Sequence, residues 1–122
     1  MVIKKILIID DDNLVRKTIR KALENEGYRV SLAKNASDAI EKVKEAEFDL
    51  IISDIRMPGK DGVVAVREIR QFSDEKGCKD IPIIFITGYA EMGLELKAEE
   101  LGEIVLKPFD LDHLLVTIRE YL

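Results

Sequence analysis

The stretch Ile6-Leu7-Ile8-Ile9-Asp10-Asp11-Asp12 places four large apolar residues directly before three carboxylates. Four apolar residues in a row suit a short strand buried on both faces, as in a parallel sheet covered by helices on each side. The first run spans 5–9, and others of the same kind lie at 28–33, 50–53, 82–86 and 103–106. Pro82 fits as the first residue of its run, where a missing N–H is tolerated.

Helical patterns fill the intervals. Leu14, Thr18, Ile19, Ala22 and Leu23 recur at the spacing of one helix face, and Gly27 follows as a stop signal. Ala36, Ala39, Ile40 and Val43 form a second stripe, while Val63, Val66, Ile69 and Arg70 form a third after Gly62. Leu111, Leu114, Leu115 and Ile118 form the last. The pattern over 89–101 is the weakest, because Met92 and Gly93 break the period kept by Leu94, Ala98 and Leu101. Alternating β and α units with short connections predict one doubly wound α/β domain over 1–122. Five strands favour the flavodoxin-like order 2-1-3-4-5 over the Rossmann order, a choice that pattern alone leaves open.

Composition narrows the function classes. A 122-residue chain can bury roughly two-thirds of its unfolded surface around one core. Hydrophobic residues at 47% and charged residues at 35% fit a globular protein and argue against disorder. The apolar runs are too short for a membrane span, and the N-terminal one is too brief for a signal-peptide core and ends in carboxylates. The expected location is therefore the cytoplasm, with no membrane partner. A net charge of −5 disfavours direct binding to nucleic acid. Cys78 is the single cysteine, which excludes an intrachain disulfide and a multi-cysteine metal site.

Ligands of such sheets bind beyond the carboxyl ends of the strands. There the first run leads into Asp10, Asp11 and Asp12, the third into Asp54, the fourth into Thr87 and the fifth into Lys107. Each has a plain explanation when taken alone. The first three carboxylates could cap the following helix, Asp54 could belong to a turn, Thr87 could be a loop hydroxyl and Lys107 a solvated charge. Together they ask for more, since carboxylates crowded on one rim repel each other unless a cation sits among them. A hard ion such as Mg2+ takes oxygen ligands of this kind. An aspartate beside such an ion and an ammonium is equipped to accept a phosphoryl group, and it needs no deprotonation at neutral pH.

Four motifs carry a family resemblance: ILIIDDD at 6–12, DLIISDIRMPGKDG at 49–62, IPIIFITG at 81–88 and KPF at 107–109. From Lys4 to about Tyr121 the chain resembles the receiver domain of bacterial response regulators, of the chemotaxis-regulator kind. The resemblance implies a signalling domain of a two-component system or phosphorelay, one that assists its own phosphorylation and slow dephosphorylation. Asp54 would be the phosphoacceptor. Asp11, Asp54 and the backbone carbonyl of Arg56 would hold Mg2+ directly, and Asp10 through water. Thr87 would hydrogen-bond the phosphoryl group and Lys107 would pair with it. Asp12 has no fixed role in the family and is expected to cap the next helix. The implied partners are a sensor histidine kinase or histidine phosphotransfer protein as donor, and a downstream protein target or output domain.

Two features depart from the family pattern. Ile104 occupies the position, three before Lys107, that usually holds an aromatic ring, and the loop leading into it is shorter than usual. Without a ring to turn inward, the expected signal is a reordering of the 89–101 helix, changing a surface shared with the final strand and final helix.

Competing readings fit less well. A haloacid-dehalogenase-type phosphohydrolase would carry DxDxT after the first strand, but Asn13 and Leu14 follow Asp12. A flavin or nucleotide binder would want a Gly-rich or Ser/Thr-rich loop where this chain is acidic. The remaining alternative is a receiver-like interaction module that is never phosphorylated. Such modules typically lose an acidic, Thr or Lys position, and none is lost here. His113 is the one histidine and falls in the last helical pattern, so the phosphoryl donor is expected in trans. The chain ends with that helix, which fits either a stand-alone regulator or a receiver cut from a longer protein.

Overall fold

Strands and helices alternate in the computed structural model, which describes residues 2–55, 61–77, 80–87, 102–106 and 110–122. The order is β1 (Lys5–Ile9), α1 (Asn13–Asn25), β2 (Arg29–Ala33), α2 (Ala36–Glu45), β3 (Leu50–Asp54), α3 (Gly62–Glu75), β4 (Ile83–Thr87), β5 (Glu103–Leu106) and α4 (Leu111–Tyr121). The five strands form one parallel sheet in the order β2-β1-β3-β4-β5, the flavodoxin-like order expected from the sequence. The helical pattern at 89–101, Cys78, Arg56 and the KPF motif at 107–109 lie outside the described residues.

The central strands bury both faces. On one side Leu7, Ile9, Ile51 and Phe85 pack with Val43 of α2 and Val66 of α3. On the other Ile8, Ile52 and Ile86 pack with Ile19 of α1 and Leu114 of α4. Each fully buried Ile or Leu contributes about 2 kcal/mol, so β1, β3 and β4 form a stiff platform. The two edge strands depart from the expectation of burial on both faces. Arg29 of β2, and Glu103 and Leu106 of β5, are exposed because each edge strand has a neighbour on one side only.

Two strands run one residue further than their apolar runs. The ladder continues through Asp54 opposite Ile86 and through Thr87 opposite Leu106, so both polar residues are positioned by sheet hydrogen bonding. Pro82 stands just before β4, where its carbonyl accepts from the Ile51 N–H at 3.0 Å.

The stripe on α1 is shifted from its expected position. Leu14 is 73% exposed, whereas Ile19 and Leu23 are buried with Val15 packed against the same cluster. The helix begins at Asn13, and the core face runs through 15, 19 and 23 at four-residue spacing, which turns Leu14 away. Gly27 ends the helix as expected, with φ +93° just after the C-cap Glu26. All four described helices open on an Asx cap: Asp12, Asn35, Asp61 and Asp110. Among the described residues no helix is long and apolar enough to cross a membrane.

Candidate functional site

The sheet register brings distant carboxylates to one level. Ile9 pairs with Ser53, so Asp10 and Asp54 follow side by side at the carboxyl ends of β1 and β3. One carboxylate oxygen from each of Asp10, Asp11 and Asp54 lies within 4.8 Å of the other two. Asp10 is only 2% exposed, Asp54 is half-buried and Asp11 is exposed. On the neighbouring strand Thr87 closes β4 as a buried hydroxyl, one residue beyond the partner of Asp54.

Backbone contacts hold the cluster in place. The Asp10 N–H donates to the Ala33 carbonyl at 3.1 Å, and its Oδ1 accepts from the Asp12 N–H at 2.8 Å. Its own carbonyl accepts from Nη1 of Arg16. The Asp54 carbonyl accepts from Ser53 Oγ at 2.9 Å, and the first residue of α3, Gly62, packs directly on it. The Gly62 N–H also donates to Ile55, tying the start of α3 to the end of β3.

The capping explanation now applies to one residue of the three. Oδ1 of Asp12 accepts from Leu14 N–H at 2.9 Å and Val15 N–H at 3.3 Å, whereas Asp10 and Asp11 turn toward Asp54. Asp12→Ala should therefore cost about 1 kcal/mol of stability and leave Mg2+ binding as in the wild type. Thermal melting and a Mg2+ titration of that variant check both halves; a large loss of Mg2+ affinity would make Asp12 part of the site.

The donor set fits a divalent cation. Two carboxylate charges about 4 Å apart repel by about 1 kcal/mol in water, and by more where burial thins the solvent between them. Asp10 also has little water to solvate its charge. A hard dication offsets both costs and takes oxygen ligands while retaining waters. Of the remaining site residues expected from the sequence, Arg56 and Lys107 lie outside the described residues. Arg16 and Ser53, which contact the backbone of the cluster, carry no signal in the sequence: Arg16 reaches back across the turn before α1, and Ser53 bonds the carbonyl of the residue that follows it in β3.

A cleft of about 640 Å³ lies at the opposite pole of the sheet, lined by Lys4, Phe48, Asp49, Pro82 and Tyr121 among others. Burial pushes the Tyr121 hydroxyl above its usual range, and Glu103 and Glu120 add to the shift, so it stays protonated at neutral pH. Among the described residues, the Asp10–Asp11–Asp54 cluster is where metal-binding side chains converge.

Known proteins share this arrangement of chain. The transcriptional regulatory protein ZraR of Klebsiella oxytoca is 37% identical over 119 residues, covering 96% of this chain but 26% of ZraR. The chain thus spans about a quarter of that relative's length. The response regulator receiver protein CpdR of Brucella abortus is 36% identical over 121 residues, covering 98% of this chain and 97% of CpdR. Among solved structures, the response regulator protein TrrA of Thermotoga maritima in complex with Mg2+-BeF superposes with a TM-score of 0.84 at 32% identity, covering 98% of this chain and all of that one. Residues 6–119 match the response regulator receiver domain, a signalling family whose members bind Mg2+ at an acidic pocket, and this chain belongs to that family.

Proposed function

We propose that this chain accepts a phosphoryl group on Asp54 from the phosphohistidine of a sensor kinase or a histidine phosphotransfer protein. The observation that carries the reading is the convergence of Asp10, Asp11 and Asp54 within 4.8 Å beside the buried Thr87. Asp10, Asp11, Asp54 and the carbonyl of Arg56 would hold Mg2+, which when bound supplies positive charge to the phosphoryl oxygens. A carboxylate oxygen of Asp54 attacks phosphorus in line with the leaving imidazole. The P–O bond forms as the P–N bond breaks, and the electron pair stays on the imidazole nitrogen, which takes up a proton. Thr87 would donate its hydroxyl to a phosphoryl oxygen, and Lys107 would pair its ammonium with another.

The change would pass to a downstream protein target or an output domain, through the face of β5 and α4 together with the helix that the sequence predicts over 89–101. Direct contact with nucleic acid or membrane is not part of this reading. A cytoplasmic location goes with this reading. Mass analysis after incubation with a small acyl phosphate and Mg2+ should find one phosphoryl adduct, and reductive trapping should map it to Asp54. An unmodified chain, or an adduct mapped to another residue, would refute the assignment and favour an interaction module that is never phosphorylated.

A further inference from the structure

Arg16 is not one of the clustered carboxylates, yet its guanidinium closes on the loop that carries them. Nη1 donates to the main-chain carbonyl of Asp10, and Nη2 donates to the side-chain oxygen of Asn13 at 3.2 Å. One planar group therefore holds both ends of the segment that contains Asp11. The side chain is half-buried, one turn into α1, and reaches back over the start of its own helix. Hydrogen bonds from a charged donor are roughly twice as strong as neutral ones, and the fixed fork of a guanidinium suits two acceptors at once.

We propose that Arg16 is a positioning residue that presets the β1–α1 loop, so that Asp10 and Asp11 face Asp54 before a divalent cation arrives. The inference rests on the carboxylate cluster being the metal site. Two effects of Arg16 oppose each other there. Its positive charge repels a dication, so removing it would tighten Mg2+ binding. Its hydrogen bonds spare the metal the work of ordering the loop, so removing them would weaken binding. Repulsion between partly exposed charges is screened by salt, whereas loop order is not. Positioning should therefore dominate at physiological ionic strength.

The sign of the effect decides between them. Isothermal calorimetry with Mg2+ alone, at a temperature where circular dichroism shows each variant folded, should find Arg16→Met about tenfold weaker than wild type. Arg16→Lys keeps the charge but not the fork, and should fall between the two at roughly threefold weaker. The loss should persist when salt is raised, and saturating Mg2+ should restore phosphorylation by a small acyl phosphate to within about twofold of wild type. Unchanged or tighter Mg2+ binding in Arg16→Met would overturn the proposal. Asp11→Asn separates that failure from failure of the site itself. If Asp11→Asn keeps wild-type Mg2+ affinity, the cluster is not the metal site; if it loses Mg2+ while Arg16→Met does not, only the role of Arg16 falls.

Discussion

Asp54→Ala should take no phosphoryl group from any donor, and in metal-free buffer it should melt at a higher temperature than the wild type. The first outcome follows from the chemistry assigned to this carboxylate. The second follows from the cluster itself. Asp54 contributes one of three carboxylates whose oxygens lie within 4.8 Å, next to the almost fully buried Asp10. Deleting one charge relieves repulsion worth about 1 kcal/mol after solvent screening, which is roughly 4 °C for a chain of this size. Mg2+ should reverse the order. A ligand that binds the native state stabilises it by mass action, so added Mg2+ should raise the melting temperature of the wild type much more than that of the variant. Melting curves with and without Mg2+, alongside intact mass after acyl-phosphate treatment, read all three effects. A phosphoryl adduct persisting in Asp54→Ala, or equal Mg2+ shifts in both proteins, would contradict the assignment.

Much of this architecture is legible in the sequence because burial on both faces leaves strands with no polar alternation. Ile6–Ile9 and Ile83–Ile86 read as sheet interior for that reason, and they form it. The edge strands are less legible, since Arg29 and Glu103 are exposed by sheet order rather than by local pattern. Leu14 is exposed although an apolar residue beside a helix start looks like core until the register of the helix is known. The rim is legible in residue type: the carboxylates and Thr87 stand at or just beyond the ends of their strands, and parallel register brings them together. Three features go beyond residue type. Asp10, Asp11 and Asp12 are equivalent on paper, yet one caps α1 and two face Asp54. Arg16 is one of several basic residues on α1 until its reach to the Asp10 carbonyl is seen. Ile104 departs from an aromatic pattern, and it packs half-buried against the cluster formed with α2 and α3. A branched aliphatic side chain there contributes apolar contact but has no ring to swing between an outward and an inward position.

Gly62→Ala should be the most damaging single methyl group added near the site. Gly62 looks like an ordinary helix-start glycine, and its φ is not in the left-handed region, unlike those of Gly27 and Gly77. What it requires is room. A Cβ at this position would stand 2.0 Å from the Asp54 carbonyl oxygen and 2.9 Å from Ser53 Oγ. The hydroxyl could rotate away, but the carbonyl belongs to a residue locked in the β3–β4 ladder opposite Ile86. Something in the backbone must therefore move, either the start of α3 or the end of β3. Moving α3 strains the Gly62 N–H contact to Ile55 and lifts Val63 and Val66 from the core. Overpacking of this kind costs about 3 kcal/mol, or roughly 12 °C in melting temperature for 122 residues. Moving β3 instead tilts the Asp54 carboxylate away from Asp10 and Asp11. Either response should slow phosphorylation of the folded protein, measured well below its melting temperature, by more than the unfolded fraction explains. Truncating the neighbour in Ser53→Ala/Gly62→Ala should not rescue the loss, because the closest clash is with the backbone. A Gly62→Ala variant with wild-type melting and wild-type phosphorylation would mean that α3 is free to slide over β3, and the acceptor would then owe its position to something other than this contact.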